Sequence, residues 1–446
     1  MKFSKTISFV FIALFFVQSI SAKQVKKSSR PTSGPNKKAG RKHALSKKKP
    51  APNIIDQFEQ KISTSYDVIT ECAKHPKIIR VLIDEKKIEN NVNFSIKSTN
   101  GFVLESPSSS KIAAAFDSKI VELMVKDSKL YLKCKDGKFR HIKKDDLEIY
   151  PAKGHLTVNG KSYQGSLNFR INPFSASVLI INKLDLEDYV SSVLRSEIVP
   201  SWPLEAHKVQ AIATRTYAIY HMKQARQKNP NSLYDLKNSN INQVYEGVHN
   251  FQCFKNAAEQ TKGLVLTYNG NIALAMFDIC CGGIIPANMR QNKKSPPYLK
   301  RTQPCTFCSN TVFYRNSLTY RSQDFVELVK SNPNLKRKFE GFGNKLGDIQ
   351  ITDKDAAGVV HKVKLAGRKY VSLTGSELLS SFKNKIKSLA FSVKKHDNKI
   401  TLICKGYSHF NGLCQWGAKS LVDRGWDYKK VLNFYYPGTT LSRLKS

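Results

Sequence analysis

Glu197 stands where a carboxylate is least expected. Along Leu186, Val190 and Val193 apolar residues recur at i, i+4 and i+7, and the next position on that stripe is Glu197. Ile198, Val199, Pro200 and Trp202 follow. Such surroundings strip water from a carboxyl and raise its pKa. A general acid working near neutral pH needs that shift, because it must still hold its proton when the substrate arrives. The alternative is a helix end whose Glu turns to water or pairs with Arg195 or Arg215.

The cysteines form the second group able to do chemistry. The chain has nine, and an odd number in an exported protein leaves at least one thiol unpaired or metal-bound. Cys280-Cys281-Gly-Gly and Pro304-Cys305-Thr-Phe-Cys308 are the densest cluster. A C-x-x-C pair can set two sulfurs on one metal, so Cys280, Cys281, Cys305 and Cys308 are the candidate ligands of a closed, structural zinc site. Disulfides fit an exported chain as well. Spacing leaves zinc, disulfides and free thiols open.

These residues need elements to position them. Asp185 begins a helical period that carries Glu197, and a second helix is predicted from near Pro203 to about Gln227, with Pro in its first turn where a missing N–H costs little. Before it, short alternating runs such as Ile79–Ile83, Leu130–Leu132, Leu156–Val158 and Val178–Ile181 are separated by turns such as Asn159-Gly160 and read as strands. After it, strands at His361–Leu365, Phe391–Val393 and Ile400–Cys404 accompany a helix at Ala418–Arg424. The class is α+β: a helical centre carrying the catalytic Glu, flanked by β-rich N- and C-terminal parts. The expected divisions are a signal peptide at 1–22, a basic disordered tether at 23–54, a β-rich part at 55–170, a catalytic core at 171–310 and a C-terminal α+β part at 311–446 that completes it.

The signal rests on Lys2 and Lys5 ahead of an apolar run from Ile7 to Val17 that ends in small residues. The run is shorter than the ~18 to 20 residues of a spanning helix, so an exported, periplasmic or wall-associated protein is expected. The tether holds no acidic residue, and the whole chain carries a formal charge of +39. A field of that sign favours polyanions. In an exported protein this means anionic wall polymers or a membrane surface rather than nucleic acid.

Ser196-Glu-Ile-Val-Pro-Ser-Trp-Pro-Leu-Glu-Ala-His-Lys-Val-Gln-Ala-Ile-Ala-Thr-Arg-Thr-Tyr-Ala218 resembles the signature of the SpoIID/LytB family, in which a Glu-Met-Pro-like segment precedes a helix containing Lys-x-Gln-Ala-x-Ala-x-Arg-Thr-Tyr. Further matches follow in family order: Gln243-Val-Tyr-Glu-Gly247, Thr261-Lys-Gly-Leu-Val-Leu266, Cys281-Gly-Gly283, Pro297-Tyr-Leu299, Gly406–Ala418 and Tyr435-Tyr-Pro-Gly-Thr439. The family's Gly-His-Gly is Ser408-His409-Phe410 here. The resemblance, from Ile79 to Leu441, implies a peptidoglycan lytic transglycosylase with Glu197 as its acid. It also implies Arg215 in the active site, with a structural ion pair as the alternative, and Gln210, Tyr217, His409 and Gln415 at the substrate. Some members hold zinc near the cysteine motif.

A glycosidase normally needs two carboxylates about 5 to 9.5 Å apart. None stands beside Glu197: Asp185 and Asp188 lie more than two helical turns away, and Glu205 lies beyond the Pro200–Pro203 turn. A single acid suffices when the C6 hydroxyl of N-acetylmuramic acid (MurNAc) closes onto its own C1, giving a 1,6-anhydro end. The resemblance implies as substrate the linkage from MurNAc to N-acetylglucosamine (GlcNAc) in glycan strands, preferably peptide-free. The family also implies a second reading, a non-catalytic wall-binding enhancer of an N-acetylmuramoyl-L-alanine amidase. An outright amidase lacks a His/Glu/His zinc set.

Overall fold

A computed structural model of the chain describes residues 70–445, except 75, 107–108, 117–118, 135, 143–145, 240–241, 383–384 and 408. The expected signal and tether lie outside the described residues, as does Ser408.

The alternating runs form two sheets. Seven strands pair in the order Leu236–Lys237, Ile78–Lys87, Ser177–Asp185, Ser166–Asn172, Asp146–Pro151, Phe102–Ser106 and Ser109–Phe116. Six pair in the order Lys161–Tyr163, Leu156–Val158, Val92–Ser98, Ile120–Lys126, Lys129–Lys133 and Phe139–His141. Because side chains alternate across a strand, Val178 and Ile180 join Phe169 and Ile171 on one face and bury against Phe94, Ile96 and Leu123 of the second sheet. The Phe94 and Phe169 rings meet there at 5.2 Å. Leu179 and Ile181 point the other way, into a small cluster with Leu82.

The strand Ser177–Asp185 runs straight into α1 (Leu186–Glu197). Asp185 makes the transition, its carboxylate accepting the Glu187 N–H at 2.7 Å and satisfying an otherwise orphaned donor. At the other end Ile198 is extended, with φ −137° and ψ 168°. α1 therefore stops at Glu197. α2 (Leu204–Lys228) is buried at every residue from Val209 to Ile219, as befits a helix enclosed on all sides. Alanines at 206, 211, 213 and 218 leave room for its neighbours, which include α1, α3 (Gln252–Gln260) and the strand Leu264–Tyr268.

Residues 315–405 build a core of their own around Phe325, Val363, Leu365, Leu378, Phe382 and Leu402. This unit holds α4 (Ser322–Lys330), α5 (Gly375–Ser380) and two three-stranded sheets. Its first and last strands, Arg315–Arg321 and Lys399–Lys405, pair antiparallel with Arg315 opposite Lys405, so its two ends lie side by side. The chain then rejoins the helical core. α6 (Gln415–Val422) and α7 (Tyr428–Tyr435) pack on α2, and the strand Thr440–Lys445 pairs with Leu264–Tyr268 and with Thr70–Lys74. The architecture is mixed α+β with helices at its centre.

Candidate active site

Glu197 is the last residue of α1 and is half-buried. Burial pushes its carboxyl up to about 7, while interactions with the Val244 backbone and the Gln415 side chain pull in the opposite direction. Val244 arrives on the segment after α2, which is laid along α1: His249 Nε2 lies 3.0 Å from Ser191 Oγ, and Arg195 Nη1 donates to the Val248 carbonyl at 3.4 Å. Gln415 arrives from α6, near the chain's end. Two phenols, Tyr189 and Tyr217, are held protonated first by burial and also by the nearby Glu197 charge. Such a carboxyl can hold a proton at neutral pH and give it to a bound substrate.

Gln210 and Gln415 meet, the Gln415 amide donating to Gln210 Oε1 at 3.5 Å. Gln210 thus touches the partner of Glu197. Tyr217 packs its ring 4.2 Å from His221 and 6.3 Å from Phe277. His409 occupies a turn, where its Nδ1 accepts the Asn411 N–H at 3.1 Å. Burial lowers its pKa to about 4, opposed by the Phe277 backbone. Its partners are those of a structural, neutral histidine.

Arg215 departs from the role that the resemblance implied. Its guanidinium is fully buried and every N–H is used: Nε and Nη2 on the Glu187 carboxylate, Nη1 on the Leu264 carbonyl at 3.2 Å, Nη2 also on the Ala258 carbonyl at 3.1 Å, with Thr261 alongside. Glu187 sits at the opposite end of α1 from Glu197. The ion pair left open by the sequence is the one found. It ties α1 to α2 and α3, so Arg215 braces the helix that ends in Glu197.

The thiols converge, with one exchange of membership. Cys281, Cys305, Cys308 and Cys414 are all buried, with their sulfurs within 4.8 Å of one another. Cys280 falls outside this set, its Sγ 3.8 Å from Thr311 Oγ1 while its thiol also interacts with Cys308 and Cys414, and Cys414 takes the fourth corner expected for it. Local backbone geometry explains the exchange. Cys280 is bridged to Tyr407, and Asp278-to-Cys414 pairing brings the strand end before α6 against the Cys281 segment. Gly282 and Gly406 allow this approach: both have positive φ, and a Cβ on Gly282 would lie 2.2 Å from the Gly406 nitrogen.

Cys281 and Cys308 sulfurs lie 3.8 Å apart, and Cys305 and Cys308 sulfurs 4.0 Å. Tetrahedral zinc with bonds of about 2.3 Å requires sulfurs about 3.8 Å apart, whereas a disulfide requires about 2.0 Å. The surrounding donors suit thiolates. Cys414 Sγ accepts the Cys281 and Gly417 N–H groups at 3.3 and 3.4 Å, and Tyr435 Oη is 3.1 Å from Cys305 Sγ. Cys280, Cys281, Cys305, Cys308 and Cys414 are all free of disulfides. The residues fit a four-thiolate metal.

A cavity of about 370 Å³ lined by Arg80, Arg170, Lys183 and Asp146 lies on the face of the seven-stranded sheet away from the helices. Its cations are already paired, Arg80 with Asp235, Arg170 with Asp146 and Lys183 with Glu148. Neither Glu197 nor the groups that act on it, Val244 and Gln415, line it.

Comparison with known proteins points to the same elements. The model of a family described as Stage II sporulation protein matches residues 175–268, the span of α1, α2 and α3. An uncharacterized protein of Brachyspira hyodysenteriae is 30% identical over 295 residues, covering 66% of this chain and 76% of that one. The amidase enhancer of Bacillus subtilis is 30% identical over 335 residues, with 66% of this chain but 46% of that protein covered. This chain therefore spans less than half of that relative. Stage II sporulation protein D of Bacillus subtilis is 23% identical over 329 residues, covering 68% of this chain and 89% of that protein.

Proposed function

The chain belongs to the SpoIID/LytB family, and from that premise we propose that it is an exported peptidoglycan lytic transglycosylase with Glu197 as its acid. Its relatives support a role at the cell wall. The observation that carries the finer reading is a single half-buried carboxyl, titrating near 7, on which no second carboxylate acts among the described residues.

Glu197 gives its proton to the oxygen joining MurNAc to GlcNAc. The C1–O bond breaks and its electron pair stays on that oxygen. The C6 hydroxyl of the same MurNAc then closes onto C1, and its proton passes to the Glu197 carboxylate. The acid is restored, and no water or protein nucleophile enters. Gln415, backed by Gln210, faces the carboxyl through both halves of the cycle. Cys281, Cys305, Cys308 and Cys414 would hold one structural zinc, whose role would be to fix the segment leading into α6 and with it Gln415.

Mass spectrometry of peptide-free glycan strands after incubation tests this. The expected products end in 1,6-anhydro-MurNAc, one water lighter than hydrolysis products. Reducing MurNAc ends alone would refute the transglycosylase route. The likeness to an amidase enhancer favours a second reading, a wall-binding protein that stimulates an amidase. Absence of any fragment, with faster stem-peptide release by an added amidase, is its signature.

A further inference from the structure

We propose that a row of aromatic side chains leading away from the Glu197 turn, Trp202, Trp416, Phe313 and Tyr407, is a stacking platform for consecutive amino-sugar rings, with Trp416 and Phe313 setting the grip on the strand. This rests on the glycan reading above and names the residues that bind the polymer beside the acid.

The row is continuous. Ring centroids are 5.1 Å apart from Trp202 to Trp416, 6.1 Å from Trp416 to Phe313 and 5.4 Å from Phe313 to Tyr407. Its inner end is joined to the acid through the chain. Trp202 closes the turn after α1, its N–H donating to the Val199 carbonyl at 3.1 Å, and Trp416 follows Gln415, the side chain that faces Glu197. Its outer end, Tyr407, lies where the 315–405 unit returns to the core.

Trp202 is buried in the core and backs the row, while the other three rings are unlike core aromatics. Tyr435 and Tyr436 are fully buried, whereas Trp416, Phe313 and Tyr407 are half-buried, and Val312 beside Phe313 is 54% exposed. The contacts within the row are tilted or edge-on, at 72°, 44° and 65°, so no two neighbouring rings are stacked face to face. A contiguous run of partly open aromatic surface marks a binding site. The fold also holds it in place. Gly406 N–H donates to the Tyr314 carbonyl at 2.9 Å, Tyr407 N–H to the Cys280 carbonyl at 2.7 Å and Trp416 N–H to the Ile279 carbonyl at 3.2 Å. Three distant segments are thus locked before any ligand arrives, which lowers the ordering cost of binding.

The matching ligand chemistry is a sugar ring with equatorial substituents. A β-1,4-linked N-acetylhexosamine presents axial C–H groups on its faces, which meet the electron-rich face of an aromatic ring, while its hydroxyl and acetamido groups point outward at the edges. A row one ring wide suits an extended strand of such sugars, and a single sugar would use only part of it.

The test uses the full chain carrying Glu197→Gln, so that the probe is not cut, and titrates it with the β-1,4-linked hexamer of N-acetylglucosamine by calorimetry. Trp416→Leu and Phe313→Leu, which keep apolar bulk and lose the flat face, are each expected to weaken binding at least about fivefold without changing the melting transition. Trp416→Phe should recover most of the loss, which a purely packing role would not require. Tyr407→Leu serves as an independent probe if a Trp416 variant does not fold. With Glu197 intact, the same substitutions should raise KM for peptide-free strands while changing kcat less than about twofold. Unchanged affinity and KM in folded Leu variants, or no hexamer binding by the Glu197→Gln protein, would overturn the platform. Row-dependent binding in a protein that cuts no strand would support the platform and remove the transglycosylase reading.

Discussion

Glu197→Gln keeps the shape of the side chain and removes its titratable proton, so it reads catalysis and stability together. In the folded protein the carboxyl titrates near 7 against 4.5 when free. Below about 4.5 both folded and unfolded chains hold the proton and the site costs nothing. As pH rises towards 7 the unfolded carboxyl ionises first, so the folded state loses stability progressively, and the loss is complete above the folded value. A rise from 4.5 to about 7 corresponds to at most about 3 kcal/mol. Partial exposure of Glu197 reduces this to roughly 1 to 2 kcal/mol. Urea unfolding should therefore find the Gln variant level with the parent at pH 4 and more stable by roughly 1 to 2 kcal/mol at pH 8. Turnover on peptide-free strands should fall by at least about 100-fold, as for a lost general acid, and the parent's own kcat/KM should decline above about pH 7. A stability difference that does not change with pH, or near-normal turnover in the folded variant, would refute the assignment.

Cys414→Ser should abolish stoichiometric zinc in elemental analysis of the purified protein, whereas Cys280→Ser should retain it; metal retained in the former or lost in the latter would return Cys280 to the ligand set. Arg215→Met should cost about 3 to 5 kcal/mol in denaturant unfolding by stranding the buried Glu187 carboxylate, and the added change Glu187→Gln should recover much of that loss. An Arg215 variant that stays fully stable yet cannot bind glycan would instead put Arg215 at the substrate. Deleting residues 23–54 should weaken adsorption to wall sacculi and flatten its salt dependence, because exposed charges are screened within about 8 Å at physiological ionic strength; an unchanged salt profile would make the tether a spacer.

The apolar stripe ending at Glu197 was legible because helical periodicity is local: Asp185 caps α1, its apolar residues face inward, and Glu197 follows them on the same stripe. The same holds for the strands Ile78–Lys87 and Ser177–Asp185 and for α2, whose observed limits of Leu204–Lys228 lie close to the expected ones. Short helices were less legible. α3 and α7 span about two turns each, too few to establish a period, although Asp427 caps α7 by accepting the Lys430 N–H at 2.8 Å. α6 begins at Gln415, ahead of the expected Ala418, because Cys414 acts as its cap.

Long-range partners were beyond sequence spacing. Cys414 reaches Cys308 only after the chain has built the whole 315–405 unit and returned beside its starting point. Arg215 and Glu187 meet because α1 and α2 cross at one particular place. The residue types and local periods by themselves determined a carboxyl at the end of an apolar stripe, a thiol-rich segment and an α+β chain. Only the tertiary structure decided that Gln415 faces the acid, that Arg215 braces its helix and that Cys414 completes the thiol cluster, because such contacts depend on how separate elements pack across the core.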